Sequence, residues 1–136
     1  MPPQMQPMIE QFFAYAIPPT ALAGAGVGAP IIVIGNDADF QAIWMIANST
    51  GAFTFRFSDG GTGRPFMSNP INNVNILGTA LQPFPMLPPY VFKRAQSIQI
   101  DLVDTSAAPN TIQIVFVGKK IFPNAAAGSA GVVVQG

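Results

Sequence analysis

The chain has 136 residues, six basic and six acidic, so its formal net charge is zero, and only 9% of its residues are charged, against about 25% in an ordinary soluble domain. Cys and His are both absent, which excludes disulfides, thiolate nucleophiles, zinc–thiolate sites, imidazole metal sites and Ser-His-Asp triads. The length suits one domain with a sizeable core, and zero net charge with only two short basic pairs argues against a nucleic-acid binder.

Residues 1–8 (MPPQMQPM) predict an extended arm. They have neither the basic start nor the small-residue cleavage site of a signal peptide. Gln11 to Asn36 is uncharged and long enough to span a bilayer. Pro18, Pro19 and Pro30, with Gly24, Gly26 and Gly28 between them, argue against a spanning helix. The stretch instead predicts two strands, Gln11–Ile17 and Pro30–Ile34, joined by a flexible Ala/Gly loop. Those glycines are not a dinucleotide fingerprint, because no helix can start at Pro30.

The strand pattern strengthens after a turn at Asn36–Asp39. Phe40–Asn48 places Phe40, Ala42, Trp44 and Ile46 on one side and Ile43 and Met45 on the other, which suggests burial on both faces. Ala52–Ser58 alternates, with Phe53, Phe55 and Phe57 inward and Thr54, Arg56 and Ser58 outward. A Gly-rich loop follows at Asp59–Gly63. Asn69–Leu77 reads as a weak or bulged strand. Gly78–Pro89 holds four prolines and cannot be a central strand, so it is expected to be a rigid extended crossover. Tyr90–Lys93 begins a short strand. Ser97–Val103 and Thr111–Val117 alternate around the turn Asp104–Asn110 and are expected to form an antiparallel hairpin. Residues 123–136 are uncharged and small, a tail or an arm ordered against a neighbour. The elements predict an all-β protein: an antiparallel, jelly-roll-like β-sandwich of about eight strands at residues 9–122, with extended arms at 1–8 and 123–136.

Candidate chemistry is sparse. The Asp37/Asp39 pair reads as turn carboxylates satisfying their own backbone. Asp101 alternates to the polar side and Asp104 opens a turn, so both are expected in solvent. No spaced run of Asp and Asn supplies a calcium loop. Trp44 and Tyr90 could stack a sugar, but a single Trp in an alternating strand is usually core. Lys93-Arg94 and Lys119-Lys120 lie at predicted strand ends, where charge blunts edge pairing or meets a neighbouring subunit. Arg56 is the one charge among the alternating phenylalanines, and Arg is enriched in interface cores. Such low charge in a chain of this size suggests a surface covered by other subunits.

The order of features from Glu10 to Phe122 resembles small virion proteins of tailed bacteriophages. Asp39-Phe40 opens the Trp44 strand, then come Phe53–Arg56, a Gly-rich loop to Arg64-Pro65-Phe66-Met67, and Asn69-Pro70. Gly78 leads to Pro83-Phe84 and Leu87-Pro88-Pro89-Tyr90-Val91-Phe92. Ser97–Leu102 and Asn110–Phe116 follow, closed by Gly118-Lys119-Lys120-Ile121-Phe122. The resemblance implies a non-enzymatic β-sandwich part of the particle, nearest to capsid decoration or cement proteins of the head surface. A neck, tail or spike-base part is the alternative, and a carbohydrate-binding β-sandwich a third reading. The implied partners are the major capsid protein and like subunits in a homo-oligomer such as a trimer. No cofactor, metal, nucleic acid, membrane or small-molecule substrate is expected. Arg56, Arg64, Phe66, Lys93, Arg94, Lys119 and Lys120 are the interface candidates.

Overall fold

The structure is a computed structural model that describes residues 9–123. The expected arm at 1–8, and the tail beyond Pro123, lie outside the described residues. Ten strands form: β1 (Glu10–Ala16), β2 (Thr20–Leu22), β3 (Val27–Gly28), β4 (Ile31–Val33), β5 (Asp39–Ser49), β6 (Phe53–Asp59), β7 (Ile71–Asn72), β8 (Phe84–Phe92), β9 (Ser97–Asp104) and β10 (Asn110–Ile121). The first sheet has the order β1-β10-β5-β8, with β2 also on β10. The second has the order β3-β9-β6-β7, with β4 also on β9. All these pairings are antiparallel.

The pairs are nested. The first strand pairs with the last, β3 and β4 with β9, β5 with β8 and β6 with β7, in alternating sheets. This is a long hairpin rolled into a two-sheet jelly roll. Counting β1 with β2, which both pair with β10, and β3 with β4, which both pair with β9, gives eight, as the sequence suggests. The segment 11–36 lies in these short strands. Among the described residues no helix is long and apolar enough to cross a membrane.

The core lies between the sheets. Phe53, Phe55 and Phe57 of β6 and Ile98, Ile100 and Leu102 of β9 face Phe40 of β5, Phe92 of β8 and Ile112, Ile114 and Phe116 of β10. The strict alternation of β6 (Phe-Thr-Phe-Arg-Phe-Ser-Asp) is the pattern a half-buried strand needs. Phe57 meets Phe116 across the sheets at 5.2 Å in an edge arrangement, a favoured aromatic geometry.

Four expectations are corrected. The 97–103 and 111–117 strands do not form a hairpin, because β9 and β10 belong to opposite sheets and the 105–109 link crosses between them. Each alternates because each faces the other's sheet through the core, and alternation does not reveal a strand's neighbour. Residues 69–77 form only the two-residue β7 and a single helical turn, Asn73–Ile76, started when the Asn72 side chain accepts from the Val74 N–H. Strand β8 reaches back to Phe84 through Pro85, Pro88 and Pro89. It lies at the sheet edge, where a missing N–H is tolerated.

The fourth correction concerns β5. Ile43 has no partner on β10, where Val117 opposes Trp44 and Gly118 opposes Ala42. This bulge resets the alternation. Phe40, Ala42 and Met45 turn inward, and Trp44 turns out with 39% of its surface exposed. Gly118 permits the bulge: a Cβ there would collide with the Gln41 carbonyl oxygen.

Candidate interaction surface

The outer faces of the two sheets differ. On the second sheet, β6 presents Thr54, Arg56 and Ser58, with Val103, Asp101 and Gln99 opposite them on β9. That is a largely polar, solvated face, as an antiparallel sheet usually has.

The first sheet turns out almost no polar groups at its centre. Ala14 of β1 opposes Val117 of β10, which opposes Trp44 of β5, which opposes Pro85 of β8. Along the next row Ala16, Val115 and Ile46 are neighbours. Phe12 lies beside Lys119 toward the end of the sheet and is 73% exposed. Gln41, Gln113 and the Lys119–Glu10 pair (3.0 Å) bound this surface. No charge falls within the two central rows.

The energies decide which residues matter. Fully covering an aliphatic or aromatic side chain of this size contributes about 1.5–3 kcal/mol, whereas an exposed ion pair contributes about 0–1 kcal/mol. The weight of an interface here lies first on the exposed Phe12 and Trp44, and less on Ile46, Val115 and Val117, which are already half-buried. The sequence-predicted basic candidates are a border at most.

The structure separates those candidates rather than gathering them. Lys93 and Arg94 stand beside Asp39 (3.6 and 3.9 Å). Lys119 and Lys120 are not at a sheet edge, because β10 runs between β1 and β5. They point to opposite sides: Lys119 outward, and Lys120 inward over the Phe13 ring (4.2 Å) and onto Asp37 (3.0 Å). The Lys120 ammonium beside Asp37 holds that carboxyl below its usual range. Arg56 lies on the polar second face, opposite Asp101, and Arg64 is exposed in the loop after β6. Phe66 is half-buried against Phe57, Tyr90 and Phe92.

Phe66 also lines an apolar cavity of about 390 Å³ at the open edge between the sheets, with Met45, Met67, Met86, Phe84 and Tyr90. The cavity exists because β8 opposes Ala42 with Tyr90 and Trp44 with Pro85. Residues 86–89 therefore arch out of register. Its polar point is the Tyr90 hydroxyl, which donates to Asp59 Oδ2. Asp59 is buried, and its other oxygen accepts from the Gly61 N–H at 2.8 Å. The carboxylate beside Tyr90, together with burial, raises the phenol's pKa, so the phenol keeps its proton.

Two further expectations change. Trp44 is not core, and Tyr90, opposite the inward Ala42, lies on the other side of the sheet, so the two rings form no common sugar platform. Asp104 is not solvated. It is 2% exposed and accepts from the N–H groups of Ala25 and Ser106, the Ser106 hydroxyl and the Asn110 amide (2.6–3.0 Å). These donors lower its pKa to about 2, the Ser106 hydroxyl contributing most. Asn110, also buried, accepts from the N–H groups of Thr50 and Gly51 and donates to the Ala52 carbonyl. The group ties three loops together and leaves no oxygen free for chemistry. Among the described residues no cluster of three acidic side chains could hold a metal.

The sequence carried one signal for the outer face: Val115 and Val117 stand where polar residues would alternate on β10, whereas uninterrupted alternation keeps Trp44 and Ile46 on the side of Phe40. Which strands would place them side by side was not legible. No protein-family model, characterised protein or solved structure matches the chain.

Proposed function

We propose that this chain is a non-catalytic structural subunit, held in a larger assembly by the outer face of its first sheet. We further infer that the assembly is a virion of a tailed bacteriophage, with the chain a capsid decoration or cement protein contacting like subunits and the major capsid protein. The observation that carries the subunit reading is the charge-free, partly exposed double row Ala14–Val117–Trp44–Pro85 and Ala16–Val115–Ile46, since continuous apolar surface left open to solvent marks an interaction site. The virion reading rests on the sequence resemblance. A jelly roll is compatible with it, but the fold is shared by capsid and lectin domains and does not decide between them.

Quantitative mass spectrometry of purified particles carrying the chain tests this reading. Hundreds of copies per particle are expected of a decoration protein. A handful of copies would move the chain to the neck, tail or spike base, and absence from the particle would overturn the virion role.

A further inference from the structure

The apolar cavity beside β8 is built by the register of the strand itself. Between the Ala42–Tyr90 and Trp44–Pro85 pairs, β5 spends one residue, Ile43, while β8 spends four, Met86 to Pro89. The surplus arches away from the core. Pro88 and Pro89 have no N–H with which the arch could be drawn back into the ladder. Met86 is buried under the arch, whereas Leu87 stands at the rim with 84% of its surface exposed. The helical turn Asn73–Ile76 supplies Ile76 to another wall, and the loop after β6 supplies Met67.

Size selects the occupant. Native interiors keep few voids larger than a water molecule, and this space is about 390 Å³. An apolar cavity of about 150 Å³ already takes a benzene ring. A single phenylalanine inserted by a neighbouring protein would therefore leave more than half of the space unfilled. A fused two-ring molecule of about ten carbon atoms fills it, and the volume lies in the ordinary range of small-molecule sites.

The lining selects its chemistry. Phe57, Phe66 and Phe84 offer ring contacts. Met45, Met67 and Met86 come from three separate segments, and their unbranched thioethers adjust to the edges of an aromatic ring. The Tyr90 hydroxyl gives its proton to Asp59, so toward a ligand its oxygen can only accept. The ligand must then supply the donor. The Asp59 carboxylate is buried behind the phenol, while Arg64 is exposed to solvent, so a negative charge in the cavity is disfavoured.

We propose that this cavity binds a neutral, two-ring aromatic molecule carrying one hydroxyl, its rings held among Met45, Met67 and Met86 and its hydroxyl donating to the Tyr90 oxygen. The proposal goes beyond the reading as an assembly subunit. Pro85 is the one residue that the cavity shares with the charge-free rows of the first sheet.

Titration of the full-length protein with 2-naphthol, followed by NMR of methionine methyl groups labelled with carbon-13, tests it. The methyl signals of Met45, Met67 and Met86 are expected to shift together and saturate, with a dissociation constant of about 10–100 µM. No saturation by about 1 mM, or saturation that leaves these three signals unmoved, overturns the proposal. Two further probes test the assigned chemistry. 2-Methoxynaphthalene, which lacks the donor, is expected to bind at least about fivefold more weakly, and the anionic 2-naphthoate more weakly still. Equal binding of either probe overturns the ligand assignment. Ile76→Trp places an indole in the cavity and is expected to weaken 2-naphthol binding at least about tenfold, with an unchanged circular dichroism spectrum. Undiminished binding by that folded variant contradicts the site. Should the variant fail to fold, the methyl shifts of the wild-type protein decide.

Discussion

Asp104 is a buried carboxylate whose hydrogen-bond partners are all neutral, so those donors alone hold its charge. Its folded pKa of about 2 lies below the ordinary 3.8. A depressed carboxylate pKa stabilises the fold above the unfolded value and ceases to do so as pH falls through the folded one. Tryptophan fluorescence is expected to report falling stability between about pH 4 and pH 2. Asp104→Asn is expected to lower the melting temperature at neutral pH, because its amide nitrogen would face donors, and to flatten that acid response. The sequence placed Asp104 at a turn but did not reveal its burial, since its donors come from loops at residues 25, 106 and 110. Gly118 is the other critical single residue. Gly118→Ala puts a Cβ against the Gln41 carbonyl, and calorimetry is expected to record a loss of about 3 kcal/mol, roughly 10 °C in Tm.

At the scale of elements, the strands are most legible where one face is buried and the other wet. Strand β6 alternates without interruption, and its inward phenylalanines were readable residue by residue. Strand β5 was readable as a strand but not in its facing, because one unpaired Ile43 reverses the sides of Trp44 and Met45. Strand β8 was half-missed because three prolines normally exclude a strand, and only its edge position admits them. Pairing was the least legible property, since in a jelly roll most partners are far apart in sequence. These assignments separate two aromatic substitutions. Phe57→Ala, in the core, is expected to cost about 3–5 kcal/mol in denaturant unfolding. Trp44→Ala, on the outer face with 39% of its surface already exposed, is expected to cost clearly less than Phe57→Ala in the isolated subunit. Equal costs would mean that Trp44 is packed as core. Among the charges, Lys119→Ala is expected to fall within about 0.5 kcal/mol of the parent. Lys120→Ala is expected to cost more, since it empties the contact with Phe13 and Asp37.

For the whole molecule, the scarcity of charge turns out to be unevenly distributed. The second sheet keeps Arg56, Asp101 and the neighbouring polar residues on its outer face, while the first sheet keeps its central rows bare. Composition alone suggested a covered surface, and the strand order shows which sheet face carries no charge in its central rows. The interface candidates chosen from sequence were mostly basic, and apart from Arg56 and Arg64 those basic residues meet carboxylates of their own chain. The apolar residues of the first sheet are therefore the ones to disrupt. The most direct measurement is sedimentation equilibrium of the wild-type protein beside the double variant Trp44→Asp, Val117→Asp, with circular dichroism verifying that the fold is unchanged. The wild type is expected to self-associate across the micromolar range and the variant to remain monomeric with the same spectrum. A wild type that sediments as a monomer, indistinguishable from the folded variant at every concentration, would contradict assembly of like subunits through this face.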